Sequence, residues 1–112
     1  MGNWKDIKIK GVTEINKLIG EFEVWALNKI PYEKFKIRIW ENSRGEYIGV
    51  PNIRINNHLD GSIDGTTGLG NSPEEALEDT LKYLMDLIED YEKKYNRELD
   101  EGDVVWASFE DF

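Results

Sequence analysis

The sequence predicts an α+β fold: a single domain with an antiparallel three- to four-stranded sheet. That sheet is expected to pack against a long helix in the C-terminal half and a shorter N-terminal helix. Three observations predict it. Residues 34–41 (KFKIRIWE) alternate apolar and polar side chains with the period of a half-buried strand. Residues 72–95 place a helix start signal ahead of apolar residues spaced alternately four and three apart. The 112 residues include four Trp, five Tyr and four Phe, enough for one modest core and too aromatic for an acidic disordered tail.

The elements follow in chain order. Residues 4–10 (WKDIKIK) alternate weakly and predict a short strand. Over residues 13–28, Ile15, Leu18, Ile19, Phe22, Trp25 and Ala26 keep a 3.6-residue spacing, which reads as an amphipathic helix with Thr13 as N-cap. Gly20 costs such a helix about 1 kcal/mol, and EFEVWAL also suits a strand. Both readings of residues 21–27 stay open, with helix favoured. In residues 34–41, Phe35, Ile37 and Ile39 point one way and Lys34, Lys36, Arg38 and Trp40 the other. Residues 42–45 compose a turn, residues 46–50 return antiparallel, and Pro51 predicts a bend or an exposed edge. Residues 53–55 are expected to continue the sheet. Residues 56–70 hold two Asp-Gly pairs and four Gly, the composition of tight turns around a short strand near Ile63.

The long helix is the clearest element. Ser72 is its N-cap, Pro73 occupies the first helical position, and Glu75 completes a capping box. Leu77, Leu81, Leu84, Ile88, Tyr91 and Tyr95 form one seam, widened by Ala76, Met85 and Leu87. Leu77, Leu81, Leu84 and Ile88 should be buried with Phe35, Ile37 and Ile39. The same seam covered by a second chain would instead make a helix-mediated homodimer. After Asn96 an acidic turn leads to a last strand over residues 104–109.

Charge is divided unevenly along the chain. Residues 1–58 carry ten Lys or Arg against seven Asp or Glu; residues 59–112 carry four against sixteen. The second half therefore holds a net −12 and the whole chain −9. An acidic face repels nucleic acid and attracts basic protein surfaces. Glu78, Asp79, Asp86, Glu89 and Asp90 of the helix, with Asp100, Glu101 and Asp103 before the last strand, are expected to form that face. Trp106 and Phe109 are the expected aromatic anchors.

No set of residues identifies a reaction, so the chain is not read as an enzyme. His58, the lone histidine, lies in a polar loop without a partner to orient it. Residues 60–65 (DGSIDG) match the first half of a calcium loop, but Thr67 and Asn71 occupy positions that such loops give to an apolar residue and a bidentate Glu. Two Asp-Gly turns explain the segment without metal, and no cofactor is expected. Residues 65–72 (GTTGLGNS) open onto a helix N-terminus, yet they lack a phosphate-binding Lys and are followed by Glu74 and Glu75. Lys34, Lys36, Arg38 and Trp40 resemble a single-strand nucleic-acid platform, against which stands a sequence pI near 4.6. The chain has no Cys, which suits a reducing cytoplasm. The first ten residues have no apolar run of a secretory leader, and no stretch reaches the roughly 20 apolar residues of a membrane span.

The segments FKIRIWENSRGEYIGVP and GNSPEEALEDTLKYLMDLI, with the Gly-rich stretch between them, resemble two small-domain patterns. One is the HicB-like antitoxin core, in which a hairpin precedes a similar helix start. The other is the small α/β sandwich proteins of bacteriophages, which close on an alanine- and leucine-rich helix. The resemblance spans roughly residues 30–90. It departs from the antitoxin pattern at Val50-Pro51-Asn52-Ile53, where that family has a P.LPGC segment. It implies a small acidic phage-type accessory protein, an anti-defence or anti-host inhibitor that occludes a basic surface of a bacterial protein. The alternatives are an antitoxin partner, or a protein that sequesters a nucleotide signal with the 65–72 loop and the basic strand.

Overall fold

Strand β1 (Lys17–Trp25) opens a four-stranded antiparallel sheet whose order is β1-β2-β3-β6, with β2 at Lys34–Glu41, β3 at Tyr47–Pro51 and β6 at Gly68–Gly70. A second antiparallel sheet, β5-β4-β7, joins Ile63–Asp64, Ile53–Asn56 and Val104–Trp106. One long helix, α1 (Pro73–Tyr95), completes an α+β architecture. The structure, a computed structural model, describes residues 3–26, 34–56, 63–64, 67–108 and 112, with only the backbone of 63 and 64.

The alternation of β2 is realised: Phe35, Ile37 and Ile39 are buried on the helix side. The turn after it is held by Asn42, whose side-chain oxygen accepts from the backbone N–H groups of Arg44 and Glu46, each at 3.0 Å. Gly45 turns the chain at φ +81°, a left-handed conformation that glycine adopts without strain. The Asn42 amide and then the Arg44 guanidinium hold the Glu46 carboxyl below the usual carboxylate range.

Three expectations are corrected. Residues 17–25 form a strand, not the shorter N-terminal helix. A β-bulge between Leu18 and Gly20 inserts one residue, so Leu18 lies opposite Trp40 and Phe22 opposite Ile37, on different sheet faces. The bulge gives the apolar positions a helix-like spacing, and pairing along the whole of β2 outweighs it. Residues 4–10 form no strand in this structure. Trp4–Asp6 is a 3-10 turn capped by Asn3, and Lys5 forms an ion pair with Glu41. Residues 53–55 do not extend the first sheet, because Asn52 redirects the chain. Its N–H donates to the Lys36 carbonyl at 2.9 Å, its side-chain oxygen accepts from the Lys36 N–H at 2.9 Å, and its carbonyl accepts from the Ala107 N–H at 2.8 Å. One residue thus ties the two sheets together. Pro51 precedes the bend as expected but is buried opposite Ile37, not on an exposed edge.

Helix α1 begins as predicted, with Pro73 in its first turn and the Ser72 hydroxyl accepting from the Glu75 N–H at 3.1 Å. Asn96 ends it in the left-handed conformation, φ +53°. The helix lies over β6 and β3 and reaches β2. Its buried stripe is Ala76, Thr80, Leu84, Ile88 and Tyr91, while Leu77 and Leu81 are half-buried at its margin. The predicted seam is therefore rotated at its start. Gly49, Gly68 and Gly70 face the helix there, and a Cβ on Gly68 would fall 2.3 Å from the Thr80 backbone nitrogen. Only small side chains fit such an approach. Ile53, Ile55 and Val104 of the second sheet complete the core. The centre of the seam is covered by the chain's own sheets.

Candidate protein-binding surface

At 100° per residue, Glu75, Glu78, Asp79, Lys82, Asp86, Glu89, Asp90 and Lys93 fall in one sector of α1, away from the buried stripe. The five helix acids named from the sequence therefore share a face. Two lysines interrupt it: Lys82 lies 3.0 Å from Glu78 and Lys93 lies 3.3 Å from Glu89. The bond to the Glu78 carboxylate raises the Lys82 pKa. Asp86 and Asp90 are exposed and have no ion-pair partner among the described residues. Six carboxylates against two lysines leave this sector net negative.

Where this face meets the sheet, the chain adds an apolar element. Gly68 and Gly70 turn toward the helix, so Leu69 between them turns away and is 57% exposed. Asp79 accepts from the Leu69 N–H at 2.8 Å and fixes this edge strand to the helix. Leu69, Glu75, Glu78, Asp79 and Lys82 line a depression of about 260 Å3. Leu69 also ends a row that crosses all four strands by register: Leu18, Trp40, Ile48, Leu69. Leu18 is largely exposed; Trp40 and Ile48 are half-buried. Sequence reasoning missed Leu69. The Gly-Leu-Gly alternation carried the signal.

The remaining predicted residues lie elsewhere. Asp100 and Glu101 sit in the turn beyond the helix, which at 1.5 Å per residue spans about 35 Å. Asp100 caps a 3-10 turn (Glu101–Asp103) and lies 3.5 Å from Arg97. Asp103 is corrected outright: it is 1% exposed and cannot belong to a surface face. It receives the Tyr91 hydroxyl and two Arg97 N–H groups, and accepts from the Asp100 N–H at 2.9 Å. Arg97 also donates to the Tyr91 oxygen at 3.2 Å. Burial, then the Asp103 carboxylate, pushes the Tyr91 hydroxyl up to about 12. The bond to Asp103 likewise raises Arg97 above the ordinary guanidinium value. This is a closed polar knot that satisfies a buried carboxylate.

Trp106 lines a groove of about 460 Å3 with Glu23, Lys34, Phe35, Lys36 and Asn52. None of its lining residues comes from the acidic face. Phe109, His58, Asp60 and Ser62 lie outside the described residues, as does most of the 57–66 loop. The basic strand face is neutralised from β1. Glu23 lies 3.3 Å from Lys34, and Glu21 lies 3.9 Å from both Lys36 and Arg38. Arg38 is buried, donates to the Phe112 carbonyl at 2.8 Å and stacks on that ring at 4.0 Å. Those pairings weaken a phosphate-binding reading. Among the described residues, no helix is long and apolar enough to cross a membrane. No family model, curated protein or solved structure matches the chain.

Proposed function

We propose that this chain acts by binding another protein through the outer side of α1. The reading pictures a small phage-type accessory inhibitor, in the anti-defence or anti-host sense, covering a basic surface of a bacterial protein. One observation carries it: an acid-lined depression with exposed Leu69 at its margin, continuous with the carboxylates of the helix. The carboxylates would steer a basic partner, an effect screened over a Debye length of about 8 Å at physiological ionic strength. An apolar side chain set among them would supply affinity that salt does not remove. An antitoxin-like role, binding a cognate toxin, would use the same face.

The test compares capture from a bacterial lysate by the unaltered chain and by the triple variant Glu78→Lys, Asp86→Lys, Asp90→Lys. The captured partner should associate at least about tenfold more slowly with the variant, and with a flattened salt dependence. Unchanged affinity and salt dependence would leave the acids as a solubility device and end the proposal.

A second reading draws on the groove beside Trp106, where a small planar anion would sit by the aromatic wall and have to draw Lys34 and Lys36 away from Glu23 and Glu21. Extraction of the purified protein should then release a nucleotide. A clean extract, with no binding of added nucleotides, removes that reading.

A further inference from the structure

The first sheet ends on one side in β1, and no strand lies beyond it among the described residues. Phe22 is 39% exposed and Val24 half-buried on the helix side of this edge, with Glu21 and Glu23 on the other side. A nine-residue edge strand bearing large apolar residues is a template for another strand. The bulge that would disrupt such pairing lies at Leu18–Gly20, before this stretch.

The same chain carries a strand pattern with nothing to pair it. Ile7-Lys8-Ile9-Lys10 alternates as a strand does, yet Ile7 is 50% and Ile9 62% exposed, and no strand forms there. Set antiparallel to β1, this segment matches it position by position. Ile7 falls opposite Val24, Lys8 opposite Glu23, Ile9 opposite Phe22 and Lys10 opposite Glu21. Every apolar residue then meets an apolar residue, and every lysine a glutamate. A one-residue slip would set lysine against Phe22 and Val24, so the match is specific to register.

We propose that residues 7–10 of one copy add as a strand to the β1 edge of a second copy, in a reciprocal two-fold dimer. Within its own chain the segment is held at the wrong end of the sheet. Lys5 pairs with Glu41, which lies opposite Lys17, and Glu21 is about 13 Å farther along β1. The turn in which the Val12 N–H donates to the Ile9 carbonyl keeps the arm folded at that end. In trans, each copy offers one arm and one edge, so the contact is made twice.

Light scattering across a concentration series should give twice the 13.0 kDa chain mass. The variant Lys8→Glu, Lys10→Glu should be monomeric, since glutamates would meet Glu21 and Glu23. The variant Glu21→Lys, Glu23→Lys should be monomeric for the converse reason. An equimolar mixture of the two should regain the dimer, because the altered arm then meets the altered edge and the unaltered arm the unaltered edge. Glu21 and Glu23 also bind lysines of β2, so circular dichroism must show that their variant is folded. If it is not, Lys8→Glu, Lys10→Glu and Ile9→Asp, which alter only arm residues, decide alone, and both should be monomeric. A wild-type monomer at every concentration, whether its arm stays open or folds onto its own edge, overturns the proposal. So does a dimer that survives the arm variants, or a mixture of folded variants that stays monomeric.

Discussion

The two ends of α1 dock by opposite means. At its start, Ala76 and Thr80 press against strands that carry glycine where they meet, and backbone approaches backbone. At its end, the larger side chains Leu84, Ile88 and Tyr91 are buried, next to a buried carboxylate and its ring of donors. The first end leaves no room for a side chain on the facing strands, and the second depends on a buried carboxylate keeping its donors. Close packing and polar satisfaction are thus separable within one helix.

The largest expected effect breaks the first end. In Gly68→Ala the new methyl would lie 2.3 Å from both the backbone nitrogen and the hydroxyl oxygen of Thr80, and the backbone cannot move aside as a side chain can. Overpacking costs about 1–3 kcal/mol where side chains can adjust, and this variant should exceed that range in a denaturant titration. Gly49→Ala sharpens the point, because its nearest neighbour is the Thr80 hydroxyl oxygen, at 2.0 Å. Thr80→Ala should therefore rescue much of the Gly49→Ala loss and a smaller share of the Gly68→Ala loss, whose clash with the Thr80 backbone it leaves in place. Equal rescue of both would refute the backbone approach. Next comes the polar end: Asp103→Ala should cost about 3 kcal/mol, near the low end for breaking a buried pair, since the Arg97 side chain is 41% exposed and can rehydrate. A smaller loss, about 1 kcal/mol, is expected for Tyr91→Phe. That variant also carries a pH signature. The folded state raises the Tyr91 pKa from 10.0 to about 12, so it holds the proton more tightly than the unfolded chain. The stability from this group is complete below pH 10 and is lost as pH rises toward 12. Melting temperatures measured between pH 9 and 12 should fall more steeply for the unaltered protein than for Tyr91→Phe.

What the sequence disclosed follows from which faces are buried. β2 and α1 each bury one apolar face, and such burial writes a period into the residues. β1 is an edge strand with a bulge, so its apolar residues are half-exposed and out of phase, and the period reads as helix. The break at Asn52 was hidden because its cause, pairing of β4 with β7, lies far along the chain. The helix acids could be placed on one face from their spacing alone. Asp103 could not be told from its neighbours, because a run of acids does not reveal which member is surrounded by Tyr91 and Arg97. Leu69 was overlooked because an exposed leucine between glycines looks like loop until the helix above it is seen.

The pairing of Ile53 with Trp106 sets an order of events as well as a shape. β1, β2 and β3 pair as successive neighbours, and such short-range hairpins close within microseconds. β4 meets β5 a few residues on, but its other partner, β7, comes about fifty residues later, at an entropic cost that grows with the logarithm of that separation. The second sheet is therefore completed only when β7 docks, and the groove beside Trp106 forms with that step.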